Sequence, residues 1–401
     1  MLIVKKFGGS SVADKERIYH VAKRCMEDYQ KGNDVVVVLS AMGKTTDSLL
    51  EMAKNINPDP SKRELDMLLS TGEQTSAALM SMAMGALGVP AISLNAFQVM
   101  MQTSSRYGNA RFKKIDTQRI RHELDNRKIV IVTGFQGVNK YEDITTLGRG
   151  GSDTTAVALA AVLHADSCEI YTDVEGVYTA DPRIVPNAKK IPEITYDEML
   201  ELATLGAKVL HNRSVEMAKK YGVQLVVRSS LNNAQGTVVK EETDMESMLV
   251  SGVAVDKNTS RVAVFGVKDI PGIAFKIFDL LAKQHINVDI ILQSIGQEGT
   301  KDISFTVARE DADETVAILE EHKNRITAKK IEKNDAVAKV SIVGAGMQSN
   351  PGVASRMFEA LYNAGINIRM IATSEIRITV LINEEDVDKA MRAVHDQFIE
   401  D

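Results

Sequence analysis

Seven residue identities recur at one offset in the last third of this 401-residue chain, and that recurrence limits the fold more than any other feature. One stretch, PGIAFKIFDLLAKQHINVDII, begins at Pro271; a second, PGVASRMFEALYNAGINIRMI, begins at Pro351. Pro271/Pro351, Gly272/Gly352, Ala274/Ala354, Phe278/Phe358, Leu281/Leu361, Ile286/Ile366 and Asn287/Asn367 are each 80 residues apart. One Pro-Gly pair is a turn, whereas seven matches at a single offset are a tandem repeat of one supersecondary unit. In each copy a β-branched run (VAVFGV, KVSIVGA) precedes Pro-Gly, a helical pattern follows it, and two further runs come next (VDIILQS and DISFTVA; IRMIATS and IRITVLI). The order is βαββ with a closing αβ, a ferredoxin-like βαββαβ unit.

The first 235 residues obey a different rule. LIVKKF (2–7), DVVVVLSAM (34–42), KIVIVTGF (128–135), CEIYTDV (168–174) and VQLVVRSS (223–230) read as strands covered on both faces. Helical periodicity fills the intervals at 15–31, 64–87, 153–165 and 196–210. Such alternation predicts an α/β sandwich around a mainly parallel sheet. VKEETDMESM (239–248) is charged, has no strand pattern and reads as a linker. The expected domains are 1–240, a linker at 241–250, and repeat units at 251–335 and 336–401, with interleaving of strands between the two left open. Met245 and Met248 precede the repeats, so an internal start there would produce a shorter, repeat-only chain.

Composition serves mainly to exclude. With 44 % apolar and 25 % charged residues the chain reads as soluble and globular. A net charge of −6 argues against a nucleic-acid surface. The two cysteines, Cys25 and Cys168, belong to no metal-spaced cluster and point to a reducing, cytoplasmic setting. The apolar run at the N-terminus is too short for a signal peptide or membrane span, so no membrane partner is expected.

The chemistry concentrates in glycine-rich turns at strand ends. TTLGRGGSDTT (145–155) opens a helix, whose bare N–H groups and partial positive charge suit an anion. A capping Ser152 or Asp153 explains part of it, but neither Arg149, a fork suited to carboxylate or phosphate, nor Gly150-Gly151. Lys5-Lys6-Phe7-Gly8-Gly9-Ser10-Ser11 repeats the pattern with a lysine able to meet a phosphate or merely to snorkel. SAMGKTT (40–46) imitates a P-loop, but Val38 stands where its first glycine belongs. Ser40, Thr45 and Thr46 remain as hydroxyl donors or helix caps. Glu73, in TGE (71–73), reads as an acid where a helix resumes: either a ligand's ammonium partner or a first-turn residue favoured by the dipole. YTDVEGVYTADPR (171–183) carries Asp173, Tyr178 and Arg183, suited to a purine and its phosphates or simply to a solvated loop.

Together, KFGGSS (6–11), SAMGKTT (40–46), STGE (70–73), TLGRGGSD (146–153), TDVEGVYTADPR (172–183) and GAKVLH (206–211) resemble the amino-acid kinase family and, within it, the aspartate kinases. The repeat resembles paired ACT domains, which bind amino-acid effectors. The likeness covers essentially the whole chain. It implies an αβα sandwich plus two ACT domains, and phosphoryl transfer from ATP, with Mg2+, to the side-chain carboxylate of L-aspartate. By this likeness Lys6 stabilises the transferring phosphoryl group and Asp153 orients Lys6. Arg149 holds the substrate α-carboxylate and Glu73 its α-ammonium. Ser40 and Thr46 (or Thr45), with Gly150, Gly151 and Ser152, complete the amino-acid pocket. Gly8, Gly9 and Ser10 join Lys6 on the nucleotide, with Thr172, Asp173, Tyr178, Arg183 and Lys208.

The resemblance further implies feedback by lysine, jointly with threonine in one version, at sites formed when ACT domains of two chains pair. The partner is a second copy or a shorter regulatory chain. Candidate effector contacts are Asp269, Gly272, Ala274, Gln293, Asn367, Ile368, Ser374 and Glu375, although Asn287 and Asn367 also read as plain helix ends. Rival readings are a family member acting on glutamate, N-acetylglutamate, carbamate or UMP, and a non-catalytic amino-acid sensor.

Overall fold

A computed structural model describes residues 1–206, 209–243, 249–296 and 299–399. Lys208, Met245 and Met248 lie outside the described residues. The chain divides into two compact units. The first comprises Met1–Val177, Lys190–Ala203 and Lys208–Glu246; the second comprises Tyr178–Lys189, Thr204–Ala207 and Ser247–Asp401.

The first unit begins with β1 (Leu2–Phe7), α1 (Lys15–Gln30), β2 (Asp34–Leu39), α2 (Thr45–Ile56), α3 (Lys62–Ala86) and β3 (Ala91–Leu94). Next come β4 (Gln102–Thr103), β5 (Phe112–Lys114), α4 (Gln118–Asp125), β6 (Ile129–Thr133), β7 (Gln136–Val138), β8 (Ile144–Thr146) and α5 (Gly151–Leu163). It ends with β9 (Ser167–Thr172), β10 (Glu193–Thr195), α6 (Tyr196–Thr204), α7 (Asn212–Tyr221), β11 (Leu225–Ser229) and β12 (Thr237–Lys240). Eight strands form one sheet in the order β10-β12-β11-β9-β1-β2-β6-β3. Every neighbouring pair is parallel except β11 and β12. The β-branched run of β2 is wholly buried from Val35 to Leu39, as a strand with helices on both faces must be.

Strand parity divides β1 between two environments. Phe7 shares a core with Val35, Val37, Leu39, Ile129 and Ile131 and with Ile18, Val21, Ala77 and Met80 of α1 and α3. Lys5 has the same parity and is 1 % exposed. It pairs with Asp28 of α1 and with Glu169 (3.1 Å), which also accepts from Tyr171 Oη (2.7 Å) and from Arg228 (2.9 Å). Lys6 has the opposite parity and meets Asp153 in the first turn of α5, which packs with α7 over β1, β2 and β9.

Four local expectations are corrected. The stretches on either side of β6, where no strand was expected, supply β4, β5, β7 and β8, which form a second sheet in the order β5-β4-β7-β8 and are too short for a periodicity signal. The helix expected over 196–210 stops at Thr204, because Gly206 has φ +101° and a side chain there would meet the Val255 carbonyl oxygen at 2.4 Å. The helix around Glu73 does not resume there. It runs unbroken from Lys62 to Ala86, and Gly72 serves close packing, since a Cβ would lie 2.8 Å from that of Ala41. Finally, Val239 and Lys240, assigned to the linker, pair in β12.

In the second unit, β13 (Gly252–Asp256) and β14 (Ser260–Lys268) lead to α8 (Ile273–Lys283), β15 (Val288–Ile295), β16 (Thr300–Val307), α9 (Ala312–Glu321) and β17 (Lys330–Asn334). The second copy follows as β18 (Val337–Val343), α10 (Val353–Asn363), β19 (Met370–Thr373), β20 (Arg377–Asn383) and α11 (Val387–Phe398). The two sheets run β15-β16-β14-β17 and β13-β18-β20-β19. Gly272 and Gly352 start α8 and α10 at φ +85° and +93°, a conformation that explains the repeated glycine. Only the second sheet borrows its fourth strand. Val262 pairs with Lys333, and Ile342 pairs with Val253, so β13 stands one repeat period ahead of β17 yet closes the second sheet. The segment Tyr178–Lys189 folds into this unit. Ala180 and Val185 join the core of the second copy, the Val253 N–H donates to the Thr179 carbonyl (2.7 Å), and Thr179 Oγ1 bonds His395 Nε2 (2.9 Å).

Candidate active site

A cavity of about 780 Å3 opens in the first unit at the carboxyl ends of β1 and β2, where open α/β sheets place their ligands. It gathers Lys6, Gly9, Ser40, Thr46, Glu73, Arg149, Gly150, Gly151, Ser152 and Asp153 from segments that are distant in sequence. Lys6 Nζ lies 2.6 Å from Asp153 Oδ1, both side chains little exposed, so the ammonium is held in place by one carboxylate.

Asp153 and Ser152 do not cap α5. The N-cap is Gly150, at φ +66°, and among the described residues no side chain caps this end. The helix therefore presents its first-turn amides to the cavity. Each glycine of the turn meets a different wall. A Cβ at 148 would lie 3.0 Å from the Gly108 carbonyl, one at 150 would lie 2.2 Å from His211 Cγ, and one at 151 would lie 2.8 Å from Phe135 Cδ2. Arg149 is exposed at the cavity rim.

Glu73 projects from the buried face of α3. Its Oε1 accepts from the Ala41 N–H (3.1 Å), while Oε2 is buried with no hydrogen-bond partner among the described residues. Burial pushes this carboxyl up to about 7, with the Ala41 bond pulling the other way. The two glycine turns beside it are locked together. The Gly43 N–H donates to the Gly9 carbonyl (2.9 Å), and a Cβ on Gly9 would meet the Ala41 carbonyl at 2.6 Å. Ser76 Oγ anchors the Ser40 carbonyl (2.8 Å). Thr45 turns its hydroxyl back to the Met42 carbonyl (2.6 Å), whereas Thr46 lines the cavity.

The remaining nucleotide candidates separate. Gly8 and Ser10 follow β1; a Cβ on Gly8 would lie 3.7 Å from Lys6 Nζ and 4.0 Å from the Tyr171 carbonyl. Thr172 and Asp173 end β9, next to β1, with Thr172 Oγ1 donating to Asp173 (2.9 Å). Tyr178 and Arg183 fold with the second unit, and Arg183 grips Asp181 there (2.6 Å). The effector candidates sit at the surface of the two repeats. Asp269 pairs with Lys301 (2.7 Å), Gly272 and Ala274 start α8, and Gln293 lies on the exposed strand β15. Asn367 and Ile368 precede β19, and Ser374 and Glu375 form the turn into β20.

Several residues that shape the cavity escape a sequence reading. Asp66, two helical turns before Glu73, is 1 % exposed. It accepts from the N–H groups of Gly108 (2.9 Å) and Thr146 (2.8 Å) and from Thr146 Oγ1 (2.7 Å), tying two loops to α3. An acid on the buried face of an apolar helix was the available signal. Phe135, at φ +70°, lines the cavity with Tyr107 and Asn109. No described helix is long and apolar enough to cross a membrane.

A model of the amino acid kinase family matches residues 1–229, and a model of the ACT domain matches 262–322 and 340–398. Aspartokinase of Geobacillus stearothermophilus is 54 % identical over 398 residues, which cover 99 % of this chain and 97 % of that one. The crystal structure of Escherichia coli aspartokinase III in complex with aspartate and ADP (R-state) is 28 % identical, with a TM-score of 0.83 and full coverage of both chains. The same enzyme in complex with lysine and aspartate (T-state) gives 0.78 at 28 % identity, again over the whole of both chains.

Proposed function

The chain belongs to the amino acid kinase family, and from that premise we propose how its residues divide the work of one reaction. The reaction is ATP-dependent phosphorylation of the side-chain carboxylate of L-aspartate to 4-phospho-L-aspartate. This is the first step towards lysine, threonine, methionine and diaminopimelate, and end-product amino acids inhibit it. One arrangement carries the assignment of residues: the Lys6–Asp153 pair, the open Glu73 carboxylate oxygen and Arg149 all border one cavity.

Arg149 holds the α-carboxylate of aspartate, and Glu73 receives its α-ammonium through Oε2, an oxygen that costs free energy until a donor reaches it. Ser40, Thr46, Gly150, Gly151 and Ser152 enclose the rest. The attacking carboxylate, with a pKa of about 3.9 in free solution, is already ionised at neutral pH, so no general base is required. Its oxygen bonds to the γ-phosphorus as the β–γ bridging bond breaks, and ADP leaves. The difficulty is repulsion between two anions. Lys6, steered by Asp153, and the first-turn amides of α5 offset it where charge gathers. Gly8, Gly9, Ser10, Thr172 and Asp173 seat the nucleotide, with Lys208. Among the described residues no group of three His, Cys, Asp or Glu side chains could hold a metal. Mg2+ would be held largely by the nucleotide's own phosphate oxygens and water.

The repeats sense the end product. Lysine, jointly with threonine in one version, binds at Asp269, Gly272, Ala274 and Gln293 from one copy and Asn367, Ile368, Ser374 and Glu375 from the other, where two chains pair. Ile291 and Ile295 of β15 and Ile371 of β19 are exposed, as strands awaiting a second chain would be. Trapping the acyl phosphate with hydroxylamine tests the whole. Hydroxamate should form with aspartate and ATP and fall on adding lysine, and a coupled assay of ADP release should show no turnover of glutamate, N-acetylglutamate, carbamate or UMP. Turnover of one of those in place of aspartate would reject the assignment.

A further inference from the structure

The loop that carries Arg149 has one wall that the reaction as described does not use. His211, the N-cap of α7, stands against Gly150 with its Cβ and Cγ at 2.3 and 2.2 Å from where a Cβ on residue 150 would lie. The Cβ is the root of the side chain, so rotation about χ1 moves the ring but cannot move that atom aside. The backbone of His211 is equally fixed. Its carbonyl accepts from the Ser214 N–H (2.9 Å), Ser214 Oγ (2.6 Å) and the Val215 N–H (3.3 Å), and α7 packs on α5. The same turn of α7 grips the other end of the loop. Arg213 donates to the carbonyls of Leu147 (2.7 Å) and Ala110 (2.9 Å). Residues 148–150 are thus spanned between a guanidinium at Leu147 and an imidazole face at Gly150. The imidazole is retained at some cost, since its Nδ1 is buried without a hydrogen-bond partner among the described residues.

We propose that His211 is a positioning residue for the acceptor site: its ring seats Gly150 and so aims the Arg149 guanidinium at the α-carboxylate of the amino-acid substrate. This rests on the role of Arg149 given above. A flexible glycine turn bearing an exposed arginine points in many directions unless something outside the turn holds it, and misplacement by about 1 Å can cost up to about a hundredfold. His211 supplies that restraint from a helix rather than from the loop, and it touches neither substrate. Its loss therefore weakens one substrate's binding selectively.

The test is steady-state kinetics of full-length variants with both substrates varied, beside thermal melting. His211→Ala should raise the KM for aspartate about tenfold and leave the KM for ATP within about twofold, with a melting temperature close to wild type. His211→Phe, which restores a flat ring, should recover most of the aspartate KM. Gly150→Ala should be severely impaired, and adding His211→Ala to it should make matters no worse, because a Cβ at 150 has already forced the turn away from the ring. An unchanged aspartate KM in His211→Ala, equal rises for both substrates, or additive effects in the double variant would overturn the proposal. Should the alanine chain fail to fold, His211→Leu is measured against the same thresholds. Arg149→Ala separates the two levels. If it raises the aspartate KM while His211→Ala does not, only the positioning role fails; if Arg149→Ala leaves it unchanged, the role of Arg149 fails first.

Discussion

Two ionic clusters lie on opposite sides of β1 and are built from the same residue types, yet they serve opposite ends. On one side Lys5 is enclosed by Asp28, Glu169 and Tyr171, and Glu169 is further held by Arg228, so each charge finds an internal partner. Burial alone would lower the Lys5 ammonium, but Cys25, Tyr171, Glu169 and Asp28 together raise it above its ordinary range. On the other side Lys6 has one carboxylate, and in the cavity at the strand's carboxyl end Glu73 keeps an oxygen unpartnered among the described residues while Arg149 stands exposed at the rim. A closed cluster fixes structure; an open one is completed only by a ligand. The number of unmet charges, rather than the kind of residue, separates site from scaffold.

That contrast is open to direct attack. The largest effect belongs to Lys6→Ala: turnover should fall by about a thousandfold or more, with melting almost unchanged, since the lost stabilisation is confined to the transition state. Near-wild-type turnover would erase the distinction between the two lysines. Lys5→Ala should do the reverse, lowering unfolding free energy by about 2–4 kcal/mol because Glu169 keeps only Arg228 and the half-buried Asp28 only Lys31, while the folded fraction keeps its turnover. Chemical denaturation alongside activity per folded molecule decides this. Asp66→Asn should cost about 1–3 kcal/mol of stability and raise the aspartate KM, since two backbone donors share what one acceptor can still offer.

The smallest effect is a pH dependence at Glu73. Its folded value is raised to about 7 from the model-compound 4.5, so the folded protein binds a proton that the unfolded chain has released. Stability relative to Glu73→Gln is therefore unimpaired below the unfolded value and is lost as pH rises from there through 7. The glutamine variant should melt higher than wild type at pH 8 and match it near pH 4. Aspartate binding runs the other way, weakening below pH 7 as the carboxyl protonates, and that slope should vanish in the glutamine variant. A binding curve equally flat with pH in both chains would remove Glu73 from the ammonium site.

Much of the site was legible because its chemistry lies in short runs. KFGGSS, SAMGKTT and TLGRGGSD each sit at a strand end, and the structure gathers Lys6, Thr46 and Arg149 around one cavity. What escaped were residues that act by contact at a distance in sequence. Asp66 ties loops near 108 and 146, and His211 meets Gly150 across about 60 residues, neither with a local signature. The purpose of the glycines was also only half visible. The sequence reading made them room for a ligand; in the structure they admit His211, Phe135 and the Gly108 backbone. Tyr178 and Arg183 continue the motif of Thr172 and Asp173 in sequence but fold with the repeats.

The alternation of β-branched runs with helical periods, the 80-residue repeat and the glycine turns were determined by the sequence alone, because each depends on spacing within a few residues or on direct self-similarity. Which of two adjacent lysines faces the cavity depended on the parity of β1 against its neighbours, and that is set only when the sheet assembles. Which strand closes which repeat was likewise a tertiary decision. Strands β13 and β17 occupy equivalent places in the period, yet β17 closes the first copy's sheet and β13 closes the second's. Backbone hydrogen bonding makes either edge chemically acceptable, so only the packing of the finished unit can choose between them.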